Sequence, residues 1–312
     1  TAALGAVAIP AMVRQGYPPA FAAALVAAGG AIGVIIPPSI PMVIFGFLTN
    51  VSIAELFAGG MLVGVLFGLS FMAVTVWNAR RHRWGTRRPF SLRFVGTSLR
   101  QALWSLGAPV IVLGGILGGI VTVTEAAALA VFYALLVAMA VNRQLGWRDL
   151  PALLVESQVI AATILFIIAM AKVFTWLVAM QQTPAMLQSA ITAMALPPWG
   201  LLLLVTVGLL IVGCVMETTA ALILLVPVLA PLTGYMGIDP MHFGVLVVVN
   251  LAIGMLTPPV GICLFVSCGV AGVTLGQVGR AVVPFVVAAV AVLLAASYWP
   301  PLITWLPALI YR

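Results

Sequence analysis

Long apolar runs follow one another along the chain, and the places where they break are its most informative feature. A spanning helix needs about 20 apolar residues in succession. Such runs predict spans at roughly 18–48, 56–79, 102–121, 125–142, 152–180, 241–268 and 281–299. Two of these are interrupted. "VIIPPSIPM" sets Pro37, Pro38 and Pro41 inside residues 34–42, and "MLTPPVGIC" sets Pro258 and Pro259 inside 255–263. Proline removes a backbone donor and clashes with the preceding turn, so both helices must break there. The run 200–232 is divided at Met216–Thr219, "METT", into two arms too short to cross comfortably, which predicts a re-entrant hairpin.

Composition turns this pattern into a fold class. The 312 residues are 64% hydrophobic and 6% charged, where soluble domains carry about 25% charge. With a mean hydropathy of +1.28, the chain reads as an all-α polytopic membrane protein surrounded by lipid bilayer. Seven of the thirteen basic residues (Arg80, Arg81, Arg83, Arg87, Arg88, Arg93, Arg100) crowd into 21 positions. One cytoplasmic loop obeying the positive-inside rule explains the net charge of +7 better than a nucleic-acid partner does. Counting crossings from that loop puts Arg14, Arg143, Arg148 and Arg280 on the same side, and Asp239, His242 and Arg312 on the other. Eleven of the thirteen basic residues are then inside.

Other polar features have local explanations. "SIAE" (Ser52–Glu55) and "TVTE" (Thr122–Glu125) match helix capping boxes. Residues 89–101 read as a basic amphipathic helix on the inner surface, and "GGILGG" (Gly114–Gly119) as a close-packing helix face. Lys172 is long enough to snorkel to the outer interface. Cys214, Cys263 and Cys268 lie in apolar segments without metal or redox spacing and read as small hydrophobes.

The chain also repeats itself. "TAAL" at 1–4 recurs at 219–222, and Gly-Tyr follows at 16–17 and 234–235. "AIG" at 31–33 recurs at 252–254, each followed by a Pro-Pro, and Pro10 and Pro227 hold similar places. The charge count puts the first Gly-Tyr inside and the second outside, so the copies run in opposite senses. Inverted repeats with helices broken at matching positions are the architecture of secondary transporters. Because Thr219 follows a hairpin tip, the alignment expects another hairpin arm before Thr1. The opening "TAALGAVAIP", without Met, reads as the start of a fragment.

Each break frees carbonyls at the end of one half-helix and N–H groups at the start of the next. The former suit a small hard cation, the latter an anion. The candidate ion- and substrate-binding set is Gly33, Pro37, Pro38 and Ser39 at the first break, with Gly254, Thr257, Pro258, Pro259 and Gly261 at the second. Glu217, Thr218 and Thr219 join it from the hairpin tip. Oxygen ligands with little charge suit Na⁺ better than a transition metal, with Gly33, Ser39, Thr219 and Thr257 the proposed sodium positions. At the first break, carbonyls and Ser39 are expected to face an ion instead of one another. Glu217 either ligates or neutralises the ion, accepts a proton, or caps the following half-helix. An intramembrane enzyme finds no support: His82 and His242 sit in loops on opposite faces, and no acidic pair shares a helix.

"AAGGAIGVIIPPSIPMVIFG", "TVTEAAALAVFYAL", "METTAALILLVPVLAPL" and "GIDPMHFGVLVVVNLAIGMLTPPVGICLF" resemble the large membrane subunit of TRAP transporters, the tripartite ATP-independent periplasmic carriers. The resemblance runs over essentially the whole chain. It implies an inverted-repeat, elevator-type importer of organic anions in the bacterial inner membrane, driven by Na⁺. The substrates it implies are C4-dicarboxylates, sialic acid or other carboxylates. It implies two partners as well, a small four-helix membrane subunit and a periplasmic substrate-binding protein. In that family the tips and break loops hold Na⁺ beside the substrate, which carries over to Gly33–Ser39, Met216–Thr219 and Thr257–Gly261. The family's serine-rich first tip lies before the segment resembling "TAALGAVAIP". On this reading 1–50 and 181–270 form the transport domain. Residues 51–180 are mainly scaffold, and 271–312 hold a C-terminal spanning helix. The alternative is a stand-alone dicarboxylate or arsenite-type carrier of related architecture, working without a binding protein.

Overall fold

The computed structural model describes residues 1–85, 91–181, 186, 189 and 196–311. Arg87, Arg88 and residues 89–90 of the predicted surface helix lie outside them. Among the described residues the regular structure is helical throughout. The first four helices are α1 (Ala2–Arg14), α2 (Pro19–Ile35), α3 (Ile40–Thr49) and α4 (Ile53–His82). Next come α5 (Leu92–Leu117), α6 (Val123–Leu136, continued by a π turn Val137–Val141) and α7 (Leu150–Met180). The second half holds α8 (Pro198–Val215), α9 (Thr218–Leu229), α10 (Leu232–Met236) and α11 (Pro240–Gly254). It ends with α12 (Ile262–Ala271), α13 (Leu275–Tyr298) and α14 (Pro301–Tyr311).

Two compact units emerge: Thr1–Arg87 with Val178–Arg312, and Arg88–Leu177. In the second, α5 packs on α6. The Tyr133 hydroxyl donates to the Trp104 carbonyl at 2.9 Å, with its ring over Gly107. The capping box predicted at Thr122 is complete: each of Thr122 and Glu125 accepts from the other's backbone N–H. At Ser52 only half is made, the hydroxyl accepting from Glu55 N at 3.3 Å.

The first unit holds both broken helices and the hairpin, and its packing repeats. Helix α1 lies on α2 and α12, while α9 lies on α11 and α3. Each arm therefore leans on the first half of its own broken helix and the second half of the other copy's. The two copies also point to opposite ends. Gly85 N donates to the Gln15 carbonyl at 3.1 Å. Tyr17 and Phe21 gather with Trp84 (ring centroids 5.9 and 5.0 Å away), and Phe21 meets Phe285 at 5.5 Å. This end collects the α1–α2 turn, the arginine-rich terminus of α4 and the start of α13. At the other end His242 Nε2 bonds the Ala296 carbonyl at 2.9 Å, and Tyr298 donates to the Trp199 carbonyl at 3.1 Å. Glu55, Asp239 and Tyr311 line one cavity there. The sidedness read from the charges thus agrees with which residues meet.

Three expectations change. The described part of the predicted surface helix, from Leu92, and the span from 102 are one helix, α5, because nothing in "RQALWSL" breaks it. "GGILGG" is a helix terminus and not a packing face. Gly119 has φ +64°, Ile120 and Val121 N–H both bond the Gly115 carbonyl, and Gly114 has open space beside it among the described residues. Helix α14 went unforeseen: its 11 residues are too short to span, yet Ile303 is buried against Gly59 on α4.

Helices α8 and α11 cross at Gly213 and Gly254, backbone on backbone. A Cβ at Gly254 would overlap the Gly213 carbonyl group, and such overpacking costs ~1–3 kcal/mol. Gly208, on the same α8, faces open space. Gly254→Ala is therefore expected to lower the thermal midpoint of the detergent-purified protein, while Gly208→Ala leaves it unchanged or raises it. Equal midpoints in the two variants would overturn this account of the crossing.

Candidate functional site

The first break runs from Ile36 to Ser39. Helix α2 ends with Ile36 N on the Ile32 carbonyl at 2.9 Å, and the chain then turns extended. Ser39 starts α3, its side chain accepting from Met42 N at 3.4 Å. The same hydroxyl donates to the Val34 carbonyl. Ser39 thus faces one of the carbonyls that the break released, where sequence reasoning had turned both towards an ion. It is buried, its one donor is spent, and one lone pair is left. Pro37 is buried, while Gly33 and Pro38 are exposed.

The second break is more elaborate. Past Gly254, a turn bonds Leu256 N to Ile253 O and Thr257 N to Gly254 O, at 2.9 and 3.0 Å. The Thr257 hydroxyl donates to Ile253 O at 2.9 Å. Gly261 opens α12 at φ +45°. A side chain there would be strained by that φ and crowded by the Thr257 carbonyl, 3.1 Å from its Cβ. Both Pro37-Pro38 and Pro258-Pro259 are cis. Thr257 is half-buried, and Pro258 and Pro259 face outward.

The hairpin tip joins the two breaks. At the end of α8 the Cys214 carbonyl accepts from Val260 N at 3.2 Å, tying the tip to the second loop. The Cys214 thiol reaches the Thr257 side chain. From the tip, α9 descends along α3, the half-helix after the first break. Of the three roles open to Glu217, the geometry displays capping: the carboxylate accepts from Ala220 N at 3.0 Å. It is exposed, and Thr219 half-buried.

Two buried side-chain oxygens have no hydrogen-bond partner among the described residues, Thr218 Oγ1 and Asn250 Oδ1. They belong to α9 and α11, which pack together. Asn250 donates through Nδ2 to Leu246 O at 2.8 Å and lies one turn before Gly254. Sequence reasoning passed it over, although an amide inside "VVVNLAIG" is the kind of intramembrane polar residue that marks function. The repeat hid it, because Gly29 holds its place in the first copy. Such orphaned groups cost ~1–3 kcal/mol each. Among the described residues no group of three or more His, Cys, Asp or Glu could hold a metal ion.

The arrangement has known relatives. Residues 1–302 match the family described as Tripartite ATP-independent periplasmic transporter, DctM component. The chain is 43% identical, over 96% of its length, to the isethionate TRAP transporter permease protein DctMQ of Oleidesulfovibrio alaskensis, and covers 47% of that protein. It is 41% identical over 98% of its length to the C4-dicarboxylate TRAP transporter large permease protein DctM of Pseudomonas aeruginosa, covering 72%. With the sialic acid TRAP transporter large permease protein SiaM of Vibrio cholerae it shares 37% identity over 98%, again covering 72%. It thus spans about half the length of the first of these relatives. All three are named as transporter permease proteins. With that match and these identities, the chain belongs to the DctM family of TRAP transporter large membrane subunits.

Proposed function

We propose that the chain forms the membrane path of a Na⁺-coupled importer of small organic anions. It receives them from a periplasmic substrate-binding protein and works beside a small four-helix membrane subunit. The observation that carries this reading is the hairpin tip bound to the second break through Cys214 O and Val260 N, with the orphaned Thr218 hydroxyl beside it. A buried lone pair without a donor is costly unless a cation takes it. Thr218 Oγ1, Asn250 Oδ1, the hydroxyls of Thr219 and Thr257, the remaining lone pair of Ser39 and the loop carbonyls supply uncharged oxygens of the kind that suits Na⁺. Helix α12 begins at Gly261 without a side-chain cap, and its positive end suits the anion.

The related permeases are named for C4-dicarboxylate, sialic acid and isethionate. Two are carboxylates and one a sulfonate, so the substrate class is anionic and small, with the acid group free to vary. Both breaks and the hairpin belong to one compact unit, and within it residues 1–50 and 181–270 move as the carrier in an elevator cycle. The second unit forms part of the frame.

Proteoliposomes holding the full transporter, with and without its binding protein and a Na⁺ gradient, test the mechanism. Na⁺-dependent uptake of a carboxylate is expected only with the binding protein present. Uptake indifferent to Na⁺ removes the coupling, and uptake without the binding protein favours the stand-alone carrier. Thr218→Val, Thr219→Ala and Thr257→Ala are each expected to weaken apparent Na⁺ affinity about tenfold, the worth of one ligand, at unchanged protein yield. Thr218→Val should also hold or raise stability, since it deletes an orphaned group. Unchanged Na⁺ affinity in all three moves the sodium site elsewhere. Glu217→Gln is expected to keep uptake, because its amide oxygen still accepts from Ala220 N, whereas Glu217→Ala loses a cap worth ~1 kcal/mol. Loss of uptake in Glu217→Gln would make the charge itself essential.

A further inference from the structure

Helix α4 carries a second feature, remote from the breaks. On its last turns Arg80 and Arg83, with Gln15, Tyr17 and Trp84, line a cavity of about 570 Å³. Gly85 N on the Gln15 carbonyl fixes its rim, and the tilted pair Tyr17–Trp84 forms an aromatic wall. Both arginines are exposed, and neither pairs with a carboxylate among the described residues. The acids of this unit are elsewhere: Glu55 and Asp239 line a cavity at its opposite end, and Glu217 caps α9.

A groove of about 390 Å³ continues from this pocket along the same helix. Its walls are Leu25, Gly29 and Ile32 of α2 and Gly68, Met72 and Thr75 of α4. Val76 lines both cavities. Gly68, Met72, Val76 and Arg80 recur at four-residue spacing, one continuous stripe on α4, and Arg83 follows just past its end as the left-handed cap residue. Gly68 has open space beside it, and Gly29 only ordinary contact with Leu4, so the absence of side chains keeps the channel clear. From Gly68 to Val76 the stripe runs ~12 Å, most of one leaflet's hydrocarbon half-thickness of ~15 Å.

We propose that this composite site binds an anionic phospholipid of the cytoplasmic leaflet, its phosphate between Arg80 and Arg83 and one acyl chain in the α2–α4 groove. Charge complementarity selects the headgroup, since unpaired arginines at the inner interface attract anionic lipid. The apolar continuation at Val76 selects a lipid over a free anion. The Tyr17–Trp84 wall sits where aromatic side chains favour the headgroup level.

Native mass spectrometry of the full transporter in detergent tests this, with dioleoyl phosphatidylglycerol and dioleoyl phosphatidylcholine as probes. Phosphatidylglycerol is expected to be retained about tenfold better. The double variant Arg80→Gln/Arg83→Gln should lose that preference while still holding either lipid weakly. Gly68→Leu, which fills the groove at an open position, should lose both lipids. Equal retention of the two lipids by the unaltered protein overturns the proposal, as does an unchanged preference in the double variant. Displacement of phosphatidylglycerol by millimolar inorganic phosphate also overturns it, since the pocket would then serve a soluble anion. Should the double variant elute as aggregate, Gly68→Leu decides alone, because a Cβ there meets no neighbouring atom.

Discussion

A peptide group released from a helix inside hydrocarbon has no water to bond, so every break must find its partners within the protein. The bond from Val260 N to the Cys214 carbonyl meets that demand at the second break, and the first unit is organised around it. The bond requires the end of α8 to lie against the loop, which requires α8 and α11 to touch at Gly213 and Gly254. With α8 held there, the tip can only turn back along α3, and the hairpin comes to join two breaks more than 200 residues apart in sequence. The first break meets the same demand differently. Ser39 satisfies the Val34 carbonyl and the Met42 N–H by itself, so the two breaks are alike in position but not in chemistry.

Much of this was legible in the residues. Proline acts on its own turn, so Pro37-Pro38 and Pro258-Pro259 announced the breaks without any knowledge of neighbours. Arginines sort by side, so counting crossings from Arg80–Arg100 oriented both repeats, and the meeting of Gly85 with Gln15 agrees with that count. What stayed hidden depends on distant partners. That Asn250 and Thr218 would be buried with an oxygen unpaired is decided by α8, α9 and α11 together, not by either residue's own segment. Ser39 was expected to face an ion, because a hydroxyl beside two prolines says nothing of which carbonyl lies within reach. The continuity of α5 was missed for the opposite reason: a change from basic to apolar residues looked like a boundary, but helix propensity ignores polarity of that kind.

Polar groups in this chain are few, and their distribution divides the labour between its ends. Asp239 caps α11 through bonds to Met241 N and His242 N, and Glu55 sits at the start of α4. The arginines at the far end of α4 have no such internal employment. The carboxylates of Glu125, Glu217 and Asp239 serve helix ends, while the guanidinium groups of Arg80 and Arg83 are left to face whatever the inner surface supplies.

The exchanged packing of the two copies also bears on how the chain comes into being. Thr1 bonds the Cys263 sulfur at 3.4 Å across 262 residues of sequence, and α1 rests on α12 as much as on its own neighbour α2. A ribosome emits α1 well before α12. The first copy must therefore wait in the bilayer until the 262 residues that separate Thr1 from Cys263 have been made, a closure of high contact order and slow by nature. The unsatisfied groups that serve the finished protein are, during synthesis, the interval in which it is most exposed to proteolysis.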